Sequence, residues 1–265
     1  MMKPLNAMHA SNVLDRGDVR IEVIAQGEGP LVLMLPSRGR GAEDFEPIAS
    51  DIAAAGYRLL RPQPRGIGRS LGPMDGITLH DLANDIASVI RSEGGGPAVL
   101  IGHAFGNWVA RMTAVDYAAL VRGVVIVAAA AKDYPAGLAE DVACSADTTL
   151  PDDLRLASLR RAFFAPGHDA RAWLGGWYPA VSASQHLAGK ATRQQEWWGA
   201  GNAPVLDLQA EGDPFKPRAA MNEIPAELGT RASVQVIADA SHALIPEQPA
   251  AVVAAILDWM RALPG

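Results

Sequence analysis

Apolar residues occur along the chain in two alternating patterns, one with the period of a strand and one with that of a helix. Short apolar runs flanked by glycine or proline predict strands, and uninterrupted runs predict strands covered on both faces. Strands are predicted at residues 19–25, 31–35, 57–60, 98–101, 123–128, 205–209 and 233–237.

Apolar positions at helical spacing fill the segments between most of these strands. The first helix contains Phe45 and ends at Gly56, and Thr78 is a good N-cap for the second. Because strands and helices alternate over residues 19–128, the pattern predicts βαβ units and a mostly parallel sheet. Further helices are predicted at residues 105–117, 152–164, 169–173, 182–198, 218–228 and 246–263.

The alternation stops between residues 132 and 202, where helices are predicted but no convincing strand. We therefore predict an α/β core formed by residues 1–130 and 203–265, and a helical cap formed by residues 131–202. Four of the six tryptophans of the chain lie in this cap, namely Trp173, Trp177, Trp197 and Trp198.

Composition limits the classes of function. The chain has 265 residues, of which 49% are hydrophobic and 20% charged, as in a globular protein with an ample core. Its net charge of -6 offers no basic face for nucleic acid. The single cysteine, Cys144, excludes an internal disulfide and suits a reducing cytoplasm. Neither a signal peptide nor an apolar run long enough to span a bilayer is predicted, so we expect a cytoplasmic protein without membrane attachment.

One stretch carries the clearest structural signal. Residues 102–106 have the sequence GHAFG, directly after a predicted buried strand and directly before a helix. The pattern G-x-S-x-G in this setting forms a strained strand-to-helix turn that raises a nucleophilic serine above the sheet. Here the central residue is Ala104, so the sequence predicts the turn without its nucleophile.

Three further segments accompany this turn. Residues 64–70 (PRGIGRS) are similar to a D-x-R-G-x-G-x-S loop, from which Gln63 and Pro64 depart. Residues 211–215 are EGDPF, and residues 241–249 (SHALIPEQP) are similar to a G-H-x-x-x-x-E-x-P segment. With these motifs, the chain resembles the α/β-hydrolase superfamily (fold-1, ester hydrolase-like) over nearly its whole length. The resemblance implies an α/β fold with a roughly eight-stranded, mostly parallel sheet, helices on both faces and a helical cap insertion.

The resemblance also implies three catalytic positions in the chain order nucleophile, acid, histidine. Ala104 stands at the nucleophile position, Asp213 at the acid and His242 at the histidine, with Glu211 as the reserve acid. His242 would accept and return a proton, and Asp213 would hold its tautomer and stabilise its charged form.

The oxyanion hole of this superfamily consists of two backbone N–H groups. One would come from Phe105, the residue after the nucleophile position. The other would come from Ser37 or Arg38, in the loop after the predicted strand at residues 31–35. Pro36 is excluded because it has no N–H group.

Loop arginines and cap tryptophans are the candidate substrate-binding residues. Arg38, Arg40 and Arg65 are expected near the pocket, where a guanidinium group matches a substrate carboxylate or another anion. Tryptophans on the pocket wall would suit an apolar or aromatic substrate. The full set of candidate substrate-binding residues is Arg38, Arg65, Trp173, Trp177 and Trp198.

Three explanations fit Ala104. It is an engineered replacement of serine, a natural alanine, or the mark of a fold retained for binding alone. The coherent sequence around residues 102–111 favours a natural alanine. Two routes to chemistry then remain, because Asp213 and His242 could activate a water molecule directly, or the hydroxyl of Ser37 could replace the missing nucleophile.

The sequence therefore predicts a hydrolase of a carboxylic ester, or of a related acyl or C–C bond, in a small and partly apolar or aromatic molecule. A cofactor-free lyase or oxygenase and a catalytically silent ligand-binding protein are the alternatives. Dehalogenases and epoxide hydrolases of this superfamily are disfavoured because they need a carboxylate at position 104. No metal and no cofactor are expected. The last helix and the cap are candidate faces for a homodimer.

Overall fold

The computed structural model describes residues 10–263, which contain one eight-stranded sheet. The strands are β1 (Ala10–Asp15), β2 (Arg20–Gln26), β3 (Leu31–Leu35), β4 (Arg58–Pro62), β5 (Ala98–His103), β6 (Val121–Val127), β7 (Val205–Ala210) and β8 (Ala232–Ile237). Their spatial order is β1-β2-β4-β3-β5-β6-β7-β8. β1 and β2 are antiparallel to their neighbours, and β3 to β8 are mutually parallel. The predicted fold class is confirmed.

Helices cover both faces of this sheet. Within residues 10–263 the α-helices are α1 (Glu46–Ala54), α2 (Leu79–Ser92), α3 (Phe105–Asp116), α4 (Ala139–Ala146), α5 (Asp152–Ala162), α6 (Pro179–Ala191), α7 (Gln194–Trp197), α8 (Glu223–Leu228), α9 (Leu244–Glu247) and α10 (Pro249–Ala262). Short 3₁₀ helices lie at Ala42–Phe45, Ala118–Leu120, Ala170–Trp173, Arg218–Ala220 and Gly229–Arg231. No helix of this described part is long and apolar enough to cross a membrane.

Two hydrophobic cores explain why strand β3 is apolar at every position. Along β3, Leu33 and Leu35 face the core that contains α2 and α3, whereas Val32 and Met34 face the core that contains α1 and α10. Successive side chains of a strand point to opposite faces, so both faces need apolar residues. Each fully buried aliphatic side chain contributes about 1.5–3 kcal/mol relative to an exposed one.

Two elements were absent from the sequence-based prediction. β1 pairs along its full length with β2, from Ala10 opposite Ala25 to Asp15 opposite Arg20. It is an edge strand with mostly exposed side chains, so its sequence lacks the apolar alternation that reveals a buried strand. Helix α4 has a single fully buried residue, Ser145, and so carries no apolar stripe.

Some predicted helices are interrupted. The helix expected at residues 182–198 is two helices, because α6 ends at Ala191 and α7 begins at Gln194. The helix expected at residues 246–263 is also split, since Pro249 occupies the first turn of α10 and lacks the N–H group that would continue α9.

The chain between β6 and β7, residues 128–204, contains helices and no strand. We call it the β6–β7 segment. Its buried residues Leu159, Phe163 and Trp173 form a third core with Phe215 and Ala243, which lie in the loops after β7 and β8. The backbone N–H of Ala243 also donates to the carbonyl oxygen of Phe163 at 2.8 Å. The segment therefore covers the carboxyl edge of the sheet at β7 and β8.

Arg40 fastens the loop after β3 to this segment. Its buried guanidinium group donates to both carboxylate oxygens of Asp44 at 2.6 Å, and to the carbonyl oxygen of Gly175 at 2.9 Å. The same group lies against the rings of Trp173 and Trp177, at 4.8 and 4.7 Å from their centroids. A buried cation needs this many partners to offset its lost hydration.

His80 connects three helices and makes stability dependent on pH. The protonated ring donates from Nδ1 to Asp116 Oδ2 in α3 at 2.7 Å and from Nε2 to Glu196 Oε2 in α7 at 3.4 Å. The hydrogen bond to Asp116, with a smaller contribution from Glu196, raises the pKa of His80 above its usual value despite partial burial. The imidazolium form is therefore favoured by folding, so its stabilising effect is full below the unfolded pKa of about 6.5 and is lost as pH rises through the raised pKa.

We expect His80→Gln to lower the free energy of unfolding more at about pH 5.5 than at about pH 9, because only the protonated ring forms charged pairs. Chemical denaturation of both proteins at the two pH values measures the difference. A second comparison in the Asp116→Asn background should show a reduced pH dependence. A loss that is the same at both pH values would contradict this role of His80.

Candidate functional site

The turn at residues 102–106 has the strained geometry that its sequence predicts. Ala104 has φ 46° and ψ -114°, which an L-residue rarely adopts and which costs of the order of 1–3 kcal/mol. Its N–H donates to the carbonyl oxygen of Val127 at 2.9 Å, so the end of β6 holds the turn in place. Ala104 therefore stands between the last residue of β5 and the first residue of α3, at the carboxyl edge of the sheet.

The two glycines of the turn are required by close backbone packing. A Cβ atom at Gly102 would overlap with the backbone of Gly106 and Asn107. A Cβ atom at Gly106 would overlap with the carbonyl oxygen of Leu35 and lie 2.6 Å from its carbonyl carbon. The start of α3 thus packs directly against the end of β3, and the loop that follows β3 borders the turn.

Asp213 and His242 form a buried hydrogen-bonded pair. His242 Nδ1 lies 3.0 Å from Asp213 Oδ2 and 3.2 Å from Oδ1. The backbone N–H of Phe215 donates to Asp213 Oδ1 at 2.9 Å, which fixes the carboxylate. Since Asp213 accepts from Nδ1–H, the neutral ring keeps its Nε2 lone pair as a proton acceptor. Nε2 has no hydrogen-bond partner among residues 10–263.

Glu247 holds the loop that carries His242. Its carboxylate accepts hydrogen bonds from the backbone N–H of Ser241 at 2.7 Å and of Ala165 at 2.5 Å. Burial raises the pKa of Glu247, and the two hydrogen bonds oppose that shift. The glutamate of the SHALIPEQP motif thus joins the His242 loop to the β6–β7 segment.

His103 is a structural residue beneath the pair. It is fully buried, and its Nε2 lies 2.9 Å from the carbonyl oxygen of His242, to which Nε2–H donates. Burial, followed by repulsion from His242, lowers the pKa of His103 to about 3, so its ring is neutral at physiological pH. His103 therefore supports the His242 backbone from below and adds no charge.

Candidate oxyanion donors lie beside Ala104. Phe105 is the first residue of α3, so its N–H has no acceptor in its own helix. The N–H groups of Ser37 and Arg38 make no hydrogen bond within the described chain. Because Gly106 packs against Leu35, this loop and the Phe105 amide border the same space, as the sequence-based proposal for the oxyanion hole requires.

A cavity of about 210 Å³ lies above Ala104 and His242. Two of the five candidate substrate-binding residues, Arg38 and Trp177, line it. Its other lining residues, apart from those near the turn, are mostly in the β6–β7 segment. No sequence pattern predicted them, because contacts between separate elements bring them together. The complete lining is Ser37, Arg38, Ala104, Phe105, Trp108, Ala130, Tyr134, Val142, Ala146, Phe163, Trp177, Ser182, His186, Gly189, Lys190, Phe215 and His242.

Arg65 and Arg40, which the sequence placed near the pocket, do not line this cavity. Arg65 is buried and forms two hydrogen bonds with the carboxylate of Asp85 in α2, at 2.7 and 2.9 Å. Its Nη1 also donates to the carbonyl oxygen of Pro73 at 3.0 Å. Both arginines satisfy their charge with a neighbouring aspartate, so neither is available to a substrate.

Trp173 and Trp198 also lie outside the cavity. Trp173 packs edge-on against His103 at 5.5 Å and against Arg40, so it belongs to the third core. Trp198 is buried against the guanidinium group of Arg111 in α3, 4.7 Å from the ring centroid. Tryptophan content alone could not distinguish a core ring from a pocket ring, because both are apolar and both are largely buried.

Asn107 and Arg111 support the turn from within α3. Arg111 is buried and donates through Nε and Nη2 to Asn107 Oδ1 and through Nη1 to the carbonyl oxygen of Trp198 at 3.2 Å. The amide nitrogen of Asn107 in turn donates to the carbonyl oxygen of Ala104. Burial lowers the pKa of Arg111 to about 10, which leaves it charged. This chain of bonds links the β6–β7 segment to the backbone of Ala104.

We expect Gly106→Ala to lower the free energy of unfolding by about 1–3 kcal/mol or more, because the added methyl group meets the backbone of β3, which cannot move cheaply. Gly199→Ala is the matched control, since nothing lies within 4 Å of a Cβ atom there. Thermal and chemical denaturation measure both. Equal effects of the two substitutions would contradict the packing argument.

We expect Asn107→Ala to be more destabilising than Arg111→Met. Asn107→Ala leaves a buried guanidinium group without its main acceptor, a loss of about 3 kcal/mol. Arg111→Met removes the charge and keeps apolar volume between Trp197 and Trp198. The double variant should resemble Arg111→Met in chemical denaturation. A larger loss of stability for Arg111→Met than for Asn107→Ala would show that the unpaired buried charge is not the main source of destabilisation.

Comparison with known proteins agrees with this architecture. The profile of the Alpha/beta hydrolase family matches residues 32–255. A 2-(acetamidomethylene)succinate hydrolase of Mesorhizobium japonicum is 32% identical over 117 residues, which cover 44% of this chain and 42% of that protein. Epoxide hydrolase A of Mycobacterium tuberculosis is 28% identical over 123 residues, covering 44% of this chain and 38% of that protein. The chain thus spans about two-fifths of the length of these curated relatives.

The fold similarity extends over the whole domain. The crystal structure of E-2-(acetamidomethylene)succinate hydrolase superimposes with a TM-score of 0.77 and 24% sequence identity, covering 96% of this chain and 100% of that one. The family profile covers most of the chain and includes the turn, Asp213 and His242. This protein belongs to the α/β-hydrolase family.

Proposed function

We propose that this protein hydrolyses a carboxylic ester, or a related acyl bond, in a small and partly apolar or aromatic molecule. The observation that carries the proposal is the hydrogen-bonded pair of Asp213 and His242, with His242 on the wall of a cavity that Ala104 and Phe105 also line. A histidine oriented by a carboxylate is a general base, and unpaired amides beside it are suited to a developing oxyanion.

In this mechanism His242 Nε2 removes a proton from water while the water oxygen bonds to the substrate carbonyl carbon. The carbonyl oxygen becomes an oxyanion, which accepts hydrogen bonds from the N–H of Phe105 and of Arg38 or Ser37. When the tetrahedral intermediate breaks down, the imidazolium returns the proton to the leaving alkoxide. Asp213 stabilises the imidazolium throughout without itself becoming protonated.

Ala104 makes the proposed mechanism different from that of a serine hydrolase. Its methyl side chain cannot form an acyl-enzyme, so attack by water replaces a two-step transfer through an ester intermediate. Serine proteases that lack a member of their triad still accelerate hydrolysis by roughly 10³–10⁴-fold over water, through the oxyanion hole and substrate binding alone. Opening of an epoxide in this superfamily would need a carboxylate nucleophile at position 104, and alanine cannot supply one.

The character of the cavity wall supports an apolar substrate body. Aromatic rings of Phe105, Phe163, Trp177 and Phe215 line it. A volume of about 210 Å³ fits a small molecule and excludes a macromolecule. The similarity to a 2-(acetamidomethylene)succinate hydrolase and to an epoxide hydrolase supports hydrolysis as the reaction class.

We expect a panel of para-nitrophenyl esters of short-chain and aryl acids to show slow turnover by this protein. His242→Ala should lower the rate by about 10²-fold or more, and Asp213→Asn by a comparable factor, because the base is lost or misoriented. His168→Gln is the matched control, since His168 does not line the cavity. Release of nitrophenolate and of free acid measures turnover.

Mass spectrometry of the quenched reaction distinguishes the routes. The protein should carry no acyl group, whereas Ala104→Ser should show a burst of nitrophenolate and an acyl adduct at position 104. An adduct on Ser37 would show that its hydroxyl is the nucleophile and would refute direct attack by water. Absence of any turnover that depends on His242 would refute the hydrolase proposal, and tight binding of an unchanged ester would then indicate a silent binding protein.

A further inference from the structure

The cavity has the opposite charge to the rest of the protein. The chain has a net charge of -6, yet the cavity is lined by Arg38, Lys190 and His186 and, among residues 10–263, by no aspartate or glutamate. The carboxylate of Asp213 lies behind His242 and is already engaged by that ring and by the Phe215 amide. A cleft that has apolar walls and is lined by one sign of charge concentrates ligands of the other sign.

Arg38 differs from the other arginines that were expected near the pocket. Arg40 and Arg65 each form two hydrogen bonds with an aspartate. Arg38 forms no ion pair with the described part of the chain, and the bond to its guanidinium group there is from Nη1 to His186 Nδ1 at 3.1 Å. Burial lowers the pKa of Arg38, which reflects a guanidinium group that is desolvated without a compensating carboxylate.

The packing of α6 against the loop after β3 fixes the backbone from which Arg38, His186 and Lys190 project. The N–H of Gly39 donates to Gln185 Oε1 at 2.7 Å, and the carbonyl oxygen of Gly39 accepts from the N–H of Tyr178 at 2.9 Å. A Cβ atom at Gly39 would lie 2.6 Å from Ser182 Cβ, so the two backbones are in close contact. A backbone that is already ordered in this way lowers the entropic cost of binding a ligand.

One face of α6 presents polar groups to the cavity. Ser182, His186 and Lys190 are spaced four residues apart, so their side chains lie in one row along the helix. Because Arg38 donates to His186 Nδ1, the ring is neutral with its proton on Nε2, where it is a further donor. Burial, then Arg38 and Lys190, lower the pKa of His186, which favours this neutral form.

We propose that the substrate of this site is an acyl compound that carries a carboxylate, bound by the guanidinium group of Arg38 with Lys190 and His186. Its apolar body packs against the ring of Trp177 on the cavity wall, and its scissile carbonyl lies at Ala104. The recognition of the anion is independent of the reaction, whereas the position of the scissile bond rests on the proposed hydrolase function. Arginine matches a carboxylate through two parallel N–H groups, which gives orientation as well as affinity.

The first test measures binding without catalysis. Benzoate and its neutral isostere benzamide are titrated into the full chain by isothermal titration calorimetry at low salt. We expect benzoate to bind at least roughly tenfold more tightly than benzamide, because a hydrogen bond to a charged partner is worth more than a neutral one. Added salt should weaken the binding of benzoate more than the binding of benzamide.

Arg38→Gln and Lys190→Gln should each reduce the preference for benzoate, and Arg160→Gln is the matched control. Arg160 is exposed on α5 and does not line the cavity, so its loss changes the net charge equally without touching the site. Lys190 is exposed, and its substitution keeps the test valid if Arg38→Gln fails to fold. Equal affinity for the two ligands, or an equal effect of all three variants, would refute the anion site.

The second test uses turnover. The para-nitrophenyl monoester of succinic acid, with its free carboxylate, should be hydrolysed with a kcat/KM at least roughly tenfold higher than the same ester whose carboxylate is methylated. Arg38→Gln and Lys190→Gln should abolish this difference in kcat/KM, mainly by raising KM for the ester with the free carboxylate. His242→Ala should abolish turnover of both esters and leave benzoate binding unchanged. Selective benzoate binding without turnover of either ester would refute the hydrolase function alone. Turnover of both esters at equal rates would refute the anion site alone.

Discussion

The contact of the helix that follows Ala104 with the end of β3 is the constraint on which the site depends. It exists because Gly106 has no side chain and so allows the backbone of α3 to touch Leu35. That contact brings the loop with Ser37 and Arg38 beside the Phe105 amide. It also forces Ala104 into a backbone conformation that costs energy, which the hydrogen bond to Val127 and the bond from Asn107 help to maintain.

Buried cations hold the β6–β7 segment over the sheet. Arg40 joins it to the loop after β3 through Asp44 and two tryptophan rings, and Arg111 joins it to α3 through Asn107 and the carbonyl oxygen of Trp198. Each guanidinium group presents several donors in one plane, so a single side chain can bond two elements and stack against a ring. These two arginines, together with apolar packing, set the position of the β6–β7 segment relative to Ala104.

His103 and His242 have different roles, one structural and one chemical. His103 is buried without a charged partner, and its lowered pKa keeps it neutral beneath the loop. His242 has a carboxylate on Nδ1 and no described partner on Nε2. The same residue type therefore serves as a support in one place and as a candidate base 5.3 Å away, because the environments differ in charge and access.

The sequence by itself determined strands β2 to β8, the turn and the three candidate catalytic positions, because these follow from local patterns. Continuous apolar runs specify buried strands, and the glycines at 102 and 106 with the segments around Asp213 and His242 specify a known architecture. It did not reveal β1, whose polar residues acquire a strand conformation only by pairing with β2. Only the tertiary structure decided which arginines and tryptophans face the cavity. The reason is physical, since a charged or aromatic side chain is placed by the partner that satisfies it, and that partner lies far away in the chain. Asp85 pairs with Arg65 in the protein interior, whereas the guanidinium group of Arg38 bonds to His186 within residues 10–263 and remains on the cavity wall.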